Sequence, residues 1–570
     1  MRQPGPSDRA LQWAVAALLI LPLFAAFLGG GGFSDAYGTY QPGDQAAAAR
    51  RLALAAATGR SLLVGALATL LAVALGVPGG WALAQRSGTP SRCGVNGPAG
   101  RRRSQFAALT SALFPRGRGK LLALVLATLP LALPPSVAVS GWVGLLAPAG
   151  AASRFNVPIP GFGAESRGWL FSSLGAALVL GLGLWPIVAL ELWPAFRRVL
   201  SSSAYDAARL HAAESRTFWR IVLPQAKGEL AAGAVLAFLL ASSDFSVSSL
   251  LLVRTLPIEI HDALTVGKTA AAAWAALPLL VLVFAAAIVL HSRLAPSPYP
   301  LPQGEGEKNS TARAPVARSL LSAGILLGFV LPLAVCGWQA WAGGKPMSLV
   351  FSAGSSALVV SLRIAGAAAA LAVVLVLLRT VCWPEMRVRA INGAALFLLA
   401  VPGSFLAAAC LASQVELQKA ARAVDAGQLA AALPLAILAL SYAARFLYAP
   451  LRLVEEGLAA LNPGMFEAAA LAGHGRLSRA VAVAVPLVAT HIAAGAALVF
   501  VLVLGDIAIA DKLHPPGYAP ATVWLFQMQH LGYDEAVFGL SLLLGAVAAA
   551  ALLAAGLAVG WLSKAKHFGF

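Results

Sequence analysis

One helix needs about twenty mainly apolar residues to cross a bilayer. This chain offers roughly twelve such runs, at about 10–30, 60–85, 120–147, 168–192, 228–253, 271–291, 318–342, 355–379, 392–412, 428–449, 487–510 and 537–562. Between them lies little that could build a soluble core. Of 570 residues, 59% are hydrophobic and 11% charged, with a mean hydropathy of +0.79, whereas soluble domains carry roughly a quarter charged residues. The expected fold class is an all-α polytopic membrane protein. The run at 10–30 follows Arg2 and Arg9, but its exit "FLGGGGF" lacks a convincing small-x-small cleavage site, so it reads as a helix and not as a signal peptide.

The formal net charge of +18 would suit nucleic acid only on a soluble basic face, and here the basic residues stand between apolar runs. No nucleic-acid partner is expected. With the N-terminus inside, about 29 of the 41 Lys and Arg fall on one side and about 11 on the other, with Arg363 inside a span, which is the positive-inside bias. Both termini are therefore expected in the cytoplasm of a bacterial cell, in a multi-pass inner-membrane protein. The polybasic stretch "GRRRSQ" is best read as touching anionic lipid. Cys93, Cys336, Cys382 and Cys410 show neither CxxC pairing nor a histidine at ligand spacing, and read as structural thiols with no metal site.

Residues 292–317 are rich in Pro, Gly and charge, the composition of a connector. They divide the chain into a first half, 1–291, and a second, 318–570, each with six spans. The third span of each half carries a helix breaker, Pro134 and Pro135 in "LALPPSVAVSG" and Pro402 and Gly403 in "LLAVPGSFLAA". A single break can be an ordinary kink; matched breaks in two repeats point to a transport pathway.

Between the fourth and fifth spans of each half lies a loop of nearly one grammar, "SSSAYDAARLHAAESRTFWRIVLPQA" and "LNPGMFEAAALAGHGRLSRAVAVAVPLV". An acid near the start of a short helix suits its dipole, alanines on one face admit a partner's backbone, and a glycine permits a positive-φ turn. An amphipathic connector would explain one such loop, but not two in matching places. Glu467, Ala468, Ala469 and Gly473, closed by Pro486, resemble in full the EAA motif of ATP-binding-cassette importer permeases. Asp206, Ala207 and Ala208, closed by Pro224, resemble it with two departures: Ala212 replaces the glycine, and one residue is missing before the proline. His211 and His474, inside these loops, read as surface contacts.

The two-half plan is similar to the fused permeases of ferric-iron and thiamine importers, and "TLPIEIHDAL" and "LHPPGYAPATVWLFQMQHLGYDEAVFGLSLLL" are closer to the ferric-iron branch. This resemblance implies a type I importer permease fold, with the two loops as coupling helices seated on two copies of a cytoplasmic ATPase. It also implies a periplasmic or lipid-anchored solute-binding protein, with ATP and Mg on the ATPase and no cofactor on this chain. The chain is not expected to be an enzyme. The only P-loop candidate, "HDALTVGKTAA", has Asp262 where a glycine is needed and puts Lys268 outside. Ferric iron is the expected cargo, with thiamine, a phosphonate or another small anion as alternatives. A secondary transporter or channel is the alternative class, disfavoured by the paired loops and the scarcity of charge in the spans.

Two further acids lie in the fifth spans. Asp244 follows Pro224 by twenty positions and Asp506 follows Pro486 by twenty. At about 1.5 Å per residue both are expected roughly 30 Å along, near the outer end of the span. They read either as solvated or capping groups at a helix end, or as a pair flanking the mouth of the pathway.

Overall fold

A computed structural model describes residue 14 and residues 45–85, 118–147, 150–151, 164–293, 315–342, 347–382, 389–459, 461, 463–532 and 535–565. Apart from residue 14, the expected first span lies outside the described residues, as do Cys93, "GRRRSQ" and most of the 292–317 connector.

Among the described residues eight helices are long and apolar enough to cross a membrane, and eleven spans result if three bent helix pairs each count once. These correspond one to one with the expected spans after the first. The elements run α1 (Gln45–Ala84), α2 (Arg118–Ala132), α3 (Pro135–Leu146), α4 (Ser173–Leu200), α5 (Ser203–His211), α6 (Glu214–Gln225), α7 (Lys227–Ser242), α8 (Ser246–Leu250), α9 (Leu256–Thr265) and α10 (Thr269–Arg293). A 3-10 turn at Ala164–Phe171 precedes α4. After the connector come α11 (Pro315–Ile325), α12 (Leu331–Ala342), α13 (Met347–Cys382), α14 (Arg389–Ala400), α15 (Gly403–Ala423), α16 (Gly427–Phe446) and α17 (Tyr448–Ala459). The chain ends with α18 (Pro463–Leu471), α19 (Arg476–Arg479), α20 (Val485–Gly505), α21 (Ala510–Leu513), α22 (Ala521–Leu531) and α23 (Glu535–Ala565).

The order from α1 to α10 recurs from α13 to α23. In each series a long helix is followed by a bent pair, a span, a nine-residue helix, a π turn, a second span, a very short helix, a medium helix and a closing span. The bends have a common cause. At each bend a proline disfavours the helical region for the residue before it, Leu133 or Val401, and Pro134 (φ −52°, ψ 134°) and Pro402 (φ −53°, ψ 128°) themselves adopt the same extended conformation. The chain turns by 79° between α2 and α3 and by 108° between α14 and α15.

Packing crosses between the series. The pair α2–α3 packs against α22 and α23, and α14–α15 against α9 and α10. Accordingly Ile507, Ala508 and Phe526 belong to a core otherwise made by α1, α3, α4, α7 and α8 with the residues around them. Matched serines pin the medium helices. Ser61 Oγ on α1 accepts from Leu256 N, and Ser361 Oγ on α13 from Ala521 N, both at 2.8 Å and buried. Each supplies the first-turn partner that Thr255 and Pro520 do not.

One expected span needs correction. The run 228–253 is not a single helix: α7 ends at Ser242, and α6 and α7 meet at 73° around Ala226. Its counterpart runs unbroken through a π turn from Leu477 to Gly505.

Candidate functional site

The nine-residue helices α5 and α18 are built alike. Ser202 caps α5, its Oγ accepting from Tyr205 N at 3.3 Å, and Asp206 lies in the first turn where the dipole favours it. Tyr205 (1% exposed) and Phe466 (6%), each one residue before the acid, anchor the helices to the bundle. Asp206, Ala207, Glu467 and Ala468 are exposed, Ala208 and Ala469 half-buried. Four residues after each acid stands a projecting leucine, Leu210 at 80% and Leu471 at 90% exposure.

The helices stop differently. Gly473 takes φ +82°, its N–H bonding Ala470 O and the next N–H, of His474, bonding Ala469 O, both at 3.0 Å. This is the glycine turn that frees the chain from a helix. Ala212 instead leaves through an extended conformation, φ −141° and ψ 148°. The alanine substitution is thus accommodated by another route. His474 Nδ1 is 2.9 Å from Ser478 Oγ, and the His211 side chain lies outside the described residues.

All six candidate pathway residues converge between the two series. Asp244 Oδ2 accepts from Val247 N at 2.8 Å and Asp506 Oδ1 from Ile509 N at 3.0 Å, so each carboxylate caps the short helix after it. Asp506 and Arg445 both act electrostatically on Asp244. A β-carbon at position 505 would lie 3.3 Å from Pro134 Cα and 3.4 Å from Pro135 Cδ. On the other side, Gly403 lets the Arg445 guanidinium approach; a β-carbon there would run into it and stand 2.8 Å from Ala508 Cβ. The acids therefore stand beside the two breaks and, as expected, at the ends of their spans, Asp244 two residues after the last residue of α7 and Asp506 directly after the last residue of α20. The chain turns at each acid because the carboxylate offers the backbone a cap in place of another helical turn.

Two partners went unread in the sequence. Arg445 Nη1 lies 3.7 Å from Asp506 Oδ2, with both side chains about nine-tenths buried. The Tyr442 hydroxyl donates to Asp506 O at 3.0 Å. An arginine inside the apolar run 428–449 was the available signal. The cluster thus holds two carboxylates and one guanidinium.

Nearer α5 and α18, the charge acting most strongly on Glu191 of α4 is Arg452 of α17, and Glu191 leads the charges on Arg452. Arg452 also reaches Glu456 at 3.3 Å, Arg379 reaches Glu455 at 3.3 Å, and Arg198 pairs with Glu229. Among the described residues no group of three or more His, Cys, Asp or Glu is arranged to hold a metal ion.

No curated protein matches the chain. Residues 105–297, which contain α2 to α10 with the first projecting helix and Asp244, match a family model described as "Binding-protein-dependent transport system inner membrane component", and in this stretch the chain is similar to such permeases.

Proposed function

We propose that this chain is the transmembrane permease subunit of an ATP-driven, binding-protein-dependent importer. On this reading residues 1–291 and 318–570 are its two pseudo-symmetric halves, joined by a cytoplasmic linker at 292–317. The observation that carries the reading is the pair α5 and α18. Each is a short rigid plug, anchored by a buried aromatic and presenting an acid, small residues and one exposed leucine. Such a surface suits close docking of another protein. Two ATPase subunits, holding ATP and Mg, would sit on the two plugs in the cytoplasm of a bacterial cell, and a solute-binding protein would dock on the opposite face. Closure of the ATPases would move the plugs together and rock the halves about the axial cluster, a rigid-body alternating access.

For cargo we propose ferric iron, because Asp244 and Asp506 lie close enough to act on one another and share only one guanidinium, Arg445, an arrangement that attracts cations. Arg445 favours a second reading, a small anion. Glu467→Lys should abolish co-purification with the ATPase subunit while the permease stays in the membrane. Retention of both ATPase and uptake would refute the permease reading. Ferric-iron uptake should fall further in Asp244→Asn/Asp506→Asn than in either single variant; unimpaired uptake in the double variant would return both acids to helix capping alone.

A further inference from the structure

On the face opposite α5 and α18, α9 of the first series meets α21 and α22 of the second through polar and aromatic side chains. The Lys512 ammonium donates to Thr265 Oγ1 at 2.8 Å and to His261 Nε2 at 3.2 Å, and lies 3.2 Å from Asp511 Oδ2. Thr265 Oγ1 in turn donates to His261 O at 2.8 Å, which fixes its lone pairs toward the lysine. The His261 ring stacks on Phe245 at 4.4 Å, Phe245 leans on Phe526 at 5.5 Å, and Phe526 meets His530 at 4.4 Å. Phe245 directly follows Asp244, which joins this cluster to the acid pair. The cluster is polar on one side only. Lys512 stands six residues after Asp506, whereas the residue six after Asp244 is Leu250, buried against apolar neighbours.

We propose that Lys512, His261 and Thr265 form a releasable latch that closes the pathway on the face opposite the projecting helices, and that protonation of His261 opens it. The proposal rests on the permease reading. The chemistry is set by the donor. An ammonium has no lone pair, so Nε2 must accept, and the imidazole must be neutral with its proton on Nδ1. A protonated ring would set donor against donor and cation against cation at 3.2 Å.

The groups facing His261 are Lys512 and Asp511 from α21, His530 from α22, and Asp262 on its own helix, itself 3.6 Å from Arg254. Helix α9 lies outside the candidate membrane spans. Burial, then Lys512, push the His261 pKa down to about 4, against the opposing pull of Asp511 and Asp262. A depressed pKa gives the closed form stability that is complete above about pH 6.5 and is lost as pH falls through about 4. Between those values the closed-to-open ratio falls by up to about tenfold per pH unit.

The test uses the full-length chain in membranes, with the four native cysteines replaced and one cysteine introduced by Ser248→Cys, beside Asp244. A membrane-impermeant methanethiosulfonate is applied from the face opposite the projecting helices. At pH 7.5, labelling should be at least tenfold faster with Lys512→Met or Thr265→Val than with the latch intact. That ratio should approach one by pH 5, because the unmodified latch opens there. His261→Phe, which keeps the aromatic stack, should label as fast as Lys512→Met at each pH, the common slowing at low pH being that of the thiolate itself. Equal rates with and without Lys512 at pH 7.5 would overturn the latch, and a ratio that does not change with pH would overturn its release by protonation. No ATPase takes part in this measurement, so failure of the Glu467→Lys experiment would sink the permease reading separately.

Discussion

Gly403 is where the absence of one carbon organises the site. Arg445 can lie against the break only because nothing projects from the first residue of α15. Gly403→Ala should therefore push the guanidinium away from Asp506. Thermal unfolding in detergent should show a loss of about 1–3 kcal/mol, the usual cost of overpacking. The two acids should also respond unequally. Asparagine still caps a helix, so Asp244→Asn alters charge and little else. Asp506→Asn leaves a buried guanidinium without its carboxylate, a change that costs on the order of 3 kcal/mol. Its melting temperature should fall clearly further than that of Asp244→Asn; equal shifts would mean that Arg445 finds another counter-charge.

At the scale of elements, α5 and α18 present one solution reached by two chain paths. Gly473 needs a positive φ and Ala212 does not. Gly473→Val should strain the exit from α18 by about 1–2 kcal/mol and weaken ATPase docking, whereas Ala212→Val should be tolerated. Matched changes at Asp206 and Glu467 should then affect transport by different amounts, and identical effects would remove the inequality. Much here was legible in advance, because length and hydropathy are local properties: eleven spans, both breaks and both nine-residue helices fall where the residues suggest. What was hidden depends on contacts distant in sequence. The short helices α8 and α21 were absorbed into apolar runs, since hydropathy reports burial and not direction, so the turns at Asp244 and Asp506 escaped notice. Arg445 was passed over because its partner lies 61 residues further on. The bend at Ala226 left no distinguishing mark, because Pro224 beside it has a counterpart in Pro486, where the helix runs on unbroken.

At the scale of the molecule, the series are interlocked, each bent pair packing on the last helices of the other. Residues 1–291 expressed alone should lack a partner surface for α2 and α3, and co-expression with 318–570 should restore a folded complex, measurable by protease resistance and size-exclusion chromatography. The seam also carries opposite charges at matching positions. Glu191 lies fourteen residues before Tyr205 and Arg452 fourteen before Phe466, the two anchoring aromatics. The exchange Glu191→Arg with Arg452→Glu should preserve assembly, while either change alone should impair it.

An assembly of two identical halves obeys the rule of a palindrome: whatever stands at a position near the axis must meet its own copy. Glutamate would face glutamate, or arginine would face arginine. Glu191 opposite Arg452, Leu250 where the other half has Lys512, and Leu184 at the place matching Arg445 all break that rule. A chain bearing such pairs can join its own two halves but cannot use either half twice, so pairing of the wrong halves is discouraged by charge before any contact is made.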